Sequence, residues 1–207
     1  RDLVRSRGLG DVYKRQCCDT PKLFMPEYSG ESGKLESLRQ LLYQIKDGNH
    51  RVLIFSQFRG MLDIIETELE KMEMPSFKIT GSTPAKERQN MTTAFNDGGR
   101  SAFLISLKAG GVGLNLTGAD TVILVDLWWN PAVEAQAIGR AHRIGQKQNV
   151  EVYRLITRGT IEEKIQELQE NKKNLVSTIL DGTESRSSLT VEEIREILGI
   201  SLESLEK

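Results

Sequence analysis

Through the middle of the chain, apolar residues follow two kinds of spacing. Leucine, isoleucine and methionine recur every three or four residues over 35–45 and 61–72, as they would on one face of a helix. Short, almost continuous apolar runs at 52–55, 102–105 and 121–125 are typical of strands that are covered on both faces. Helix and strand are therefore predicted to follow one another along the chain.

Residues that commonly end or begin helices mark the boundaries of these elements. Asp47-Gly48 and Pro75 are expected to end the first two helices. Thr83 and Pro84 are the expected N-cap and first residue of a third helix, which ends near Gly98. The other predicted elements are a strand at 77–79, a helix from Pro131 to about Arg140, a strand at 150–155, and a helix that Thr160 caps and that runs to about Leu180.

The alternation of strands with helices of ten or more residues predicts an α/β fold, in which a parallel sheet carries helices on both faces. Ligands of such sheets bind at the carboxyl ends of the strands. We therefore expect the functional residues in the loops after Phe55, Ile79, Ile105 and Val125. Polar residues are concentrated in these loops.

The predicted lobe is flanked by two segments of different character. Residues 1–16 contain five basic and two acidic residues without periodicity, and are expected to be a leader that is either non-native or disordered. Residues 17–33 are expected to be a lead-in segment. The folded lobe is assigned to 34–182, including its long closing helix, and 183–207 to a linker and a short terminal helix.

Composition excludes several classes of protein without selecting one. The 28 basic and 29 acidic residues nearly cancel, which excludes a polybasic tail and a strongly acidic chain. No run of 18 apolar residues occurs, so no membrane span is expected. The two cysteines, Cys17 and Cys18, are too few for a disulfide framework or a four-cysteine zinc site. We expect both to be buried, and we predict no metal site.

A glycine-rich loop with the sequence LKAGGVGLNL occupies 107–116, directly after a predicted strand. It lacks the third glycine of a dinucleotide-binding loop, and Gly-Lys-Ser/Thr, the end of a Walker phosphate loop, occurs nowhere in the chain. A loop with exposed amides, one lysine and one asparagine can contact the phosphate of a nucleotide or of a nucleic-acid backbone. The alternative is a tight connection between strands with no binding role.

A second polar sequence, QAIGRAHRIGQ, occupies 136–146. If it is helical, Gln136, Arg140 and Arg143 share one face. Guanidinium groups that converge near strand ends can neutralise the charge on the γ-phosphate oxygens during phosphoryl transfer. The alternative is a solvated, charged helix face without a catalytic role.

These two sequences, together with VLIFSQF (52–58) and DLWWNPAVEAQ (126–136), resemble the second motor lobe of SWI/SNF-related ATPases, which are superfamily 2 helicase-like DNA translocases. The similarity runs from about Cys17 to Leu180, with the motifs in the order that the family shows. The matched sequence is most similar to those of bacterial members. It implies a RecA-like fold with a C-terminal helical extension. The implied function is ATP-driven translocation on duplex DNA, coupled to the remodelling of protein–DNA complexes.

The resemblance also implies roles for individual residues. Arg140 and Arg143 match the arginine fingers of the family's motif VI, with Arg143 foremost at the γ-phosphate. The residues implied to face the nucleotide are Gln136, Gly111 and Gly113, and those implied to face the DNA backbone are Ser56, Gln57, Ser82, Lys108 and Asn115. The implied cofactor is ATP with Mg²⁺, whose ligands are expected on a first lobe with a Walker loop. Trp128 and Trp129 are expected to be packing residues, and His142 a structural one.

The implied partners are duplex DNA, the N-terminal RecA-like lobe of the same parent protein and DNA-bound proteins, without a membrane. The expected location is the bacterial cytoplasm at the nucleoid, or the nucleus if the source is eukaryotic. One alternative is an RNA helicase lobe of the same superfamily, against which the Arg-Ile-Gly-Gln sequence and Trp-Trp-Asn-Pro argue. Another is a non-catalytic nucleic-acid-binding module, against which the intact Gln136, Arg140 and Arg143 argue.

Overall fold

A computed structural model of the chain describes residues 14–25, 27–28, 30–106, 114–128, 130–143, 146 and 149–180, with side chains up to residue 171. Residues 14–19 are helical, and a short 3-10 helix spans Pro21–Leu23. The elements that follow are α1 (Gly33–Asp47), β1 (Val52–Ser56), α2 (Arg59–Lys71), β2 (Ser76–Ile79), α3 (Ala85–Asn96), β3 (Ala102–Ser106), β4 (Thr121–Leu124), α4 (Pro131–Ile138), β5 (Glu151–Arg154) and α5 (Ile161–Leu180).

The five strands form one sheet in the order β2-β3-β1-β4-β5, and every neighbouring pair is parallel. β1 lies at the centre, where Phe55 is in register with Ile105 of β3 and with Leu124 of β4. All five residues of β1 are completely buried, as the continuous apolar run at 52–55 predicts. The parallel α/β fold expected from the sequence is therefore confirmed.

Two apolar cores cover the two faces of the sheet. Alternate residues of a strand point to opposite faces, so Val52 and Ile54 pack with α1 and α2, whereas Leu53 and Phe55 pack with α3 and α4. In the second core, the ring of Phe95 from α3 adds to the strand side chains. The prediction of helices on both faces is confirmed.

Helix α3 begins one residue later than predicted. Its first residue is Ala85, and Pro84 rather than Thr83 is the N-cap. The hydroxyl of Thr83 accepts a hydrogen bond from Thr80 N at 3.0 Å and so closes the turn after β2. Because this local turn engages the threonine side chain, the side chain does not cap the helix.

Residues 1–13 and 181–207 lie outside the described part of the chain, and with them most of the expected leader and the predicted terminal helix. The last three residues of the leader, 14–16, are helical and continuous with residues 17–19 of the lead-in segment. Among the residues that the structure describes, no helix combines the length and the apolar character that a membrane span requires.

The two cysteines are less buried than expected. Cys17 is exposed, and Cys18 is half-buried, with its thiol donating a hydrogen bond to Lys14 O at 3.2 Å. The helical stretch 14–19 directs Asp19, and not the cysteines, into the protein, where the aspartate is completely buried. The expectation that both cysteines are buried is wrong.

We expect Leu42→Ala to destabilise the fold far more than Tyr43→Ala. Both residues lie on α1, but Leu42 is completely buried in the first core and Tyr43 is 54% exposed. The cavity in the Leu42 variant should lower the free energy of unfolding by about 2–5 kcal/mol, while the exposed change should stay within about 0.5 kcal/mol. Urea denaturation of both variants measures the difference. Equal losses would contradict the packing of α1.

Candidate functional site

The sheet has a topological switch point between β1 and β4. From β1 the chain passes through α2 on one face towards β2, and from β4 it passes through α4 on the other face towards β5. Because the two connections diverge, a crevice lies at the carboxyl ends of these strands, where α/β proteins bind ligands. Ser56, Gln57 and Asp126 occupy this position.

Asp126 joins the carboxyl ends of β1 and β4. Its Oδ2 accepts a hydrogen bond from Ser56 Oγ at 2.5 Å, and its Oδ1 accepts one from Gln57 N at 3.1 Å. Burial raises the pKa of Asp126 to about 6, although the hydrogen bonds from Ser56 and Gln57 favour the ionised form. The switch point therefore contains a buried carboxyl group that titrates close to neutral pH.

The residues expected to face DNA differ in their exposure. The side chain of Ser56 is completely buried against Asp126, which does not fit the expected contact with a DNA phosphate. Gln57 is half-buried and Ser82 is exposed, and they lie in the loops after β1 and β2. Three expected site residues lie outside the described part of the chain: Lys108, Gly111 and Gly113.

Asn115 is exposed but lies away from the carboxyl edge of the sheet. Its carbonyl oxygen accepts a hydrogen bond from Asn96 Nδ2 at 2.9 Å. Asn96 is the last residue of α3 and lies just before the chain enters β3 at its amino end. Asn115 is thus on the part of the loop that returns towards the start of β4, and the structure does not bring it together with Gln57 and Ser82.

The helix that carries Gln136 is shorter than predicted. It ends two residues before the expected end at Arg140, with Gly139 as its C-cap, a residue that disfavours helix continuation. Residues 139–143, here called the arginine turn, form hydrogen-bonded turns beyond the end of the α-helix, so regular α-helical spacing does not extend from Gln136 to Arg143. The predicted single face is wrong: Gln136 and Arg143 are exposed, whereas Arg140 is only 3% exposed.

The arginine turn holds its two guanidinium groups at different depths. The guanidinium carbon of Arg140 lies 5.9 Å from the centre of the Phe55 ring, against the second face of the sheet. Burial lowers the pKa of Arg140, and the positive charge of Arg143 lowers it further, but an arginine remains charged at neutral pH. The exposed Arg143 donates a hydrogen bond from Nε to Gly139 O at 3.1 Å. One cation is thus internal and the other is available at the surface.

Gln146 ties the arginine turn to the loop that precedes β4. Its Nε2 donates to Ala119 O at 2.6 Å, to Thr117 O at 3.2 Å and to Ala141 O at 3.4 Å. The turn is held to the same loop by a hydrogen bond from Leu116 N to a turn carbonyl at 3.0 Å. No role for Gln146 follows from the sequence alone, where its only signal is its place at the end of QAIGRAHRIGQ.

Glu134 is a second residue whose role the sequence does not reveal. It is 2% exposed, and its Oε1 accepts hydrogen bonds from Trp128 N at 3.0 Å and from Gln169 Nε2 at 2.7 Å, while its Oε2 accepts one from Arg154 Nε at 3.1 Å. Its only signal is a carboxylate within a short, largely apolar helix. Trp128 packs against the second core, in agreement with its expected role, and Trp129 lies outside the described residues.

The described part of the site offers positive charge and amide groups to a ligand. Arg143 and Gln136 present a guanidinium and a carboxamide at the surface, and Gln57 presents a second carboxamide at the switch point. Within the described residues, no group of three or more His, Cys, Asp or Glu side chains is arranged to hold a metal ion. These donors are suited to the oxygens of an anion such as a phosphate.

Residues 33–145 match the family described as the helicase conserved C-terminal domain. The match covers more than half of the chain and extends from α1 through the arginine turn. The chain therefore belongs to this family.

Two relatives show the kind of protein in which such a lobe occurs. The chain is 45% identical over 174 residues to TATA-binding protein-associated factor 172 of Homo sapiens, a match that covers 75% of the chain and 9% of the relative. It is 44% identical over 200 residues to SWI/SNF-related matrix-associated actin-dependent regulator of chromatin subfamily A member 1 of Mus musculus, covering 86% of the chain and 19% of the relative. Both relatives are eukaryotic, which gives no support to the expected similarity to bacterial members.

A solved structure agrees with this assignment. The chain superposes on the crystal structure of the C-terminal part of the Fun30 ATPase domain with a TM-score of 0.64 and 37% sequence identity, covering 76% of this chain and 53% of that chain. The protein is thus a RecA-like helicase C-terminal lobe of the SWI/SNF-related type, and it spans less than a fifth of either curated relative.

We expect Asp126→Asn to remove a pH-dependent loss of stability. The carboxyl group titrates near pH 4 in an unfolded chain and near pH 6 in the fold, so between these values the folded state binds more protons than the unfolded one. The unaltered chain should therefore lose stability as the pH rises from about 4 to about 6, and the asparagine variant should lose less, because only the contribution of Asp126 is removed. Relative to the unaltered chain, its free energy of unfolding should rise by about 2 kcal/mol between pH 4 and pH 7.

Urea denaturation at several pH values measures this difference. Asp47→Asn is the control for the loss of a carboxylate, because Asp47 is exposed at the end of α1. A pH-independent difference for Asp126→Asn would show that the buried carboxyl has an ordinary pKa.

Proposed function

We propose that the chain is the second motor lobe of a SWI/SNF-like ATPase, which couples ATP hydrolysis to translocation on duplex DNA and to the remodelling of protein–DNA complexes. The observation that carries the proposal is the arginine turn, which holds one internal and one surface guanidinium in a helicase C-terminal lobe. Because the chain spans 9% and 19% of its two relatives, the ATPase activity is assigned to a longer parent protein.

The arginine turn suits the stabilisation of a phosphoryl group in transfer. A guanidinium supplied by a separate body neutralises charge on the γ-phosphate oxygens and contributes roughly 10³–10⁵ in rate. We assign the direct contact to Arg143, because it is exposed and its hydrogen bond to Gly139 O orients the side chain. Arg140, which the resemblance also places at a finger position, is assigned a supporting role, because it is only 3% exposed and its guanidinium lies against Phe55. The residues assigned to the nucleotide are Gln136, Gly111 and Gly113.

ATP with Mg²⁺ is assigned mainly to the N-terminal RecA-like lobe of the same parent protein. That lobe would supply the Walker loop, since Gly-Lys-Ser/Thr is missing from the 207 residues. In the proposed cycle, the two lobes close on the nucleotide, Arg143 approaches the γ-phosphate across the interface, and reopening after hydrolysis allows a step along the DNA. The present chain contributes positive charge and positioning to this cycle.

Contacts with the DNA backbone are assigned to Gln57, Ser82 and Lys108, and not to Asn115, which lies away from the carboxyl edge of the sheet. Gln57 and Ser82 support this assignment best, because they lie on neighbouring loops at the carboxyl edge and neither is fully buried. Ser56, which the resemblance also implies as a DNA contact, is not assigned one, because its hydroxyl is buried against Asp126. Such contacts carry no sequence information and weaken as salt is added.

The relatives' names support the proposed setting. One is described as a regulator of chromatin and the other as a TATA-binding protein-associated factor. We propose that the parent protein acts on DNA-bound proteins, in the nucleus if its source is eukaryotic and at the nucleoid if it is bacterial.

In the parent protein, Arg143→Ala should lower the kcat of the DNA-stimulated ATPase by about 10³-fold or more, because the charge on the transferring group is no longer neutralised. DNA affinity should change little, because this residue is assigned to the nucleotide. Steady-state phosphate release and DNA binding by fluorescence anisotropy measure the two quantities.

Arg100→Ala is the matched control for this experiment. Arg100 is also exposed, but it lies just before β3 at the amino edge, where its guanidinium carbon is 5.4 Å from the Phe77 ring centre. Its removal should leave the ATPase rate within about twofold. Preserved turnover in Arg143→Ala would rule out the finger role. If DNA binding fell as much as turnover, Arg143 would instead be assigned to the DNA-binding surface.

The 207-residue chain alone should show almost no ATP turnover, and the parent protein should be stimulated more strongly by duplex DNA than by RNA. Both results are expected because the Walker loop is assigned to the other lobe and the motifs resemble those of DNA translocases. Phosphate release with each nucleic acid measures them. Substantial ATP turnover by the chain alone would refute its assignment as one of two lobes. Stronger stimulation of the parent protein by RNA would favour an RNA helicase. A parent protein without ATPase activity would favour a non-catalytic nucleic-acid-binding module.

A further inference from the structure

A buried ammonium group connects three separate segments of the lobe. Lys34, the second residue of α1, has a side chain that is 2% exposed. Its Nζ donates hydrogen bonds to Asp19 Oδ1 at 2.8 Å, to Glu162 Oε1 at 2.5 Å and to Val125 O at 2.9 Å. The two carboxylates are 0% and 1% exposed, so water screens neither ion pair. We call these four groups the Lys34 cluster.

The three acceptors come from distant parts of the sequence. Asp19 belongs to the lead-in segment, 17–33, and Glu162 is the second residue of α5. Val125 follows β4 directly and precedes Asp126, the carboxylate of the switch point. The Lys34 cluster thus joins the segment before α1 and the helix after β5 to the carboxyl end of β4.

Further hydrogen bonds support the two carboxylate-bearing segments. Ser32 Oγ donates to Asp19 O at 2.6 Å, and Thr157 N donates to Glu162 Oε2 at 2.8 Å. The hydroxyl of Thr157 also donates to Cys18 O at 3.0 Å, which links the lead-in segment directly to the chain before α5. The lead-in segment and the chain before α5 thus contact each other directly beside the Lys34 cluster.

Charge makes Lys34 indispensable to this arrangement. The neighbouring Asp19 and Glu162 carboxylates raise the pKa of the lysine despite its burial, so the ammonium stays charged. Burial, followed by the negative charge of Asp126, raises the pKa of Asp19. Without the lysine, carboxylates from the lead-in segment and α5 would face each other in a dry environment, which is strongly unfavourable.

We propose that Lys34 is a positioning residue, which fixes the lead-in segment and the start of α5 to the switch point so that a displacement of either segment is transmitted to the site. The contacts of Lys34 are sufficient evidence that the lead-in segment and the start of α5 are fixed. The transmission to the motor rests on the proposed function. A lysine that merely stabilised α1 would act on the whole lobe, whereas a positioning lysine acts on the segments it binds.

Hydrogen exchange of the 207-residue chain tests the fixing of the segments. In Lys34→Met, amides of residues 17–23 and 157–165 should exchange at least about tenfold faster, while those of β1 and β3 keep their protection. Lys46→Met is the matched control, because Lys46 lies on the same helix and is exposed, with Met72 O as its acceptor. In Lys46→Met, amide exchange in residues 17–23 and 157–165 should be unchanged.

Two milder variants keep the test decisive if Lys34→Met does not fold. Asp19→Asn should increase exchange chiefly in 17–23, and Glu162→Gln chiefly in 157–165, because each leaves the lysine with its other carboxylate. Uniform loss of protection across the sheet, or no change in either segment, would overturn the positioning role.

The ATPase of the parent protein tests the transmission to the site. Asp19→Asn should lower kcat by about tenfold, because small misplacements at a catalytic site have effects of this size or larger, while the KM for ATP stays within about twofold. If exchange increases and kcat is unchanged, the transmission is refuted and the cluster only fixes the segments. If the unaltered parent protein has no ATPase activity, the proposed function fails, while the exchange experiment still decides whether Lys34 fixes the segments.

Discussion

The central strand β1 is shielded from water on both faces, and this burial decides where polar chemistry can occur in the lobe. The backbone groups of β1 are paired with β3 and β4, and its apolar side chains belong to the two cores. Ser56 is the first polar side chain along the strand, and it bonds at once to Asp126. Because an unpaired carboxylate at this depth is costly, the donors Ser56 Oγ and Gln57 N allow a titratable group to lie at the end of a buried strand.

Elements whose evidence is local could be predicted from the sequence. The apolar stripe of α1 and the continuous run of β1 each lie within about fifteen residues, and spacing alone indicates their structure. The Lys34 cluster could not be predicted in this way, because Lys34 and Glu162 are 128 residues apart. In the sequence they are two ordinary charged residues, and only the fold shows that both are buried.

The candidate site lies between these two cases. The residue types of QAIGRAHRIGQ indicate a phosphate-related role, but helical spacing gives the wrong geometry beyond Gly139. Tertiary contacts determine the arginine turn instead, since a turn carbonyl accepts from Leu116 N, and Gln146 binds the carbonyl oxygens of both the turn and the neighbouring loop. The hydrogen bonds from Leu116 N to the turn and from Gln146 to Ala119 O each link residues more than twenty positions apart, and local periodicity contains no information about them.

The exposure of Arg143 has a direct electrostatic consequence for the proposed mechanism. When both charges are fully hydrated, two unit charges 4 Å apart attract each other by only about 1 kcal/mol, whereas at an interface that excludes part of the water the effective dielectric is lower and the attraction rises to about 4 kcal/mol. A guanidinium on an open lobe therefore contributes little to phosphate stabilisation, even when its geometry is correct. If a second lobe closes over Arg143 and excludes water, the same residue becomes a strong electrostatic catalyst without changing its own conformation. Dependence on closure would make hydrolysis conditional on the approach of the two lobes, which is the coupling that an ATP-driven translocase requires.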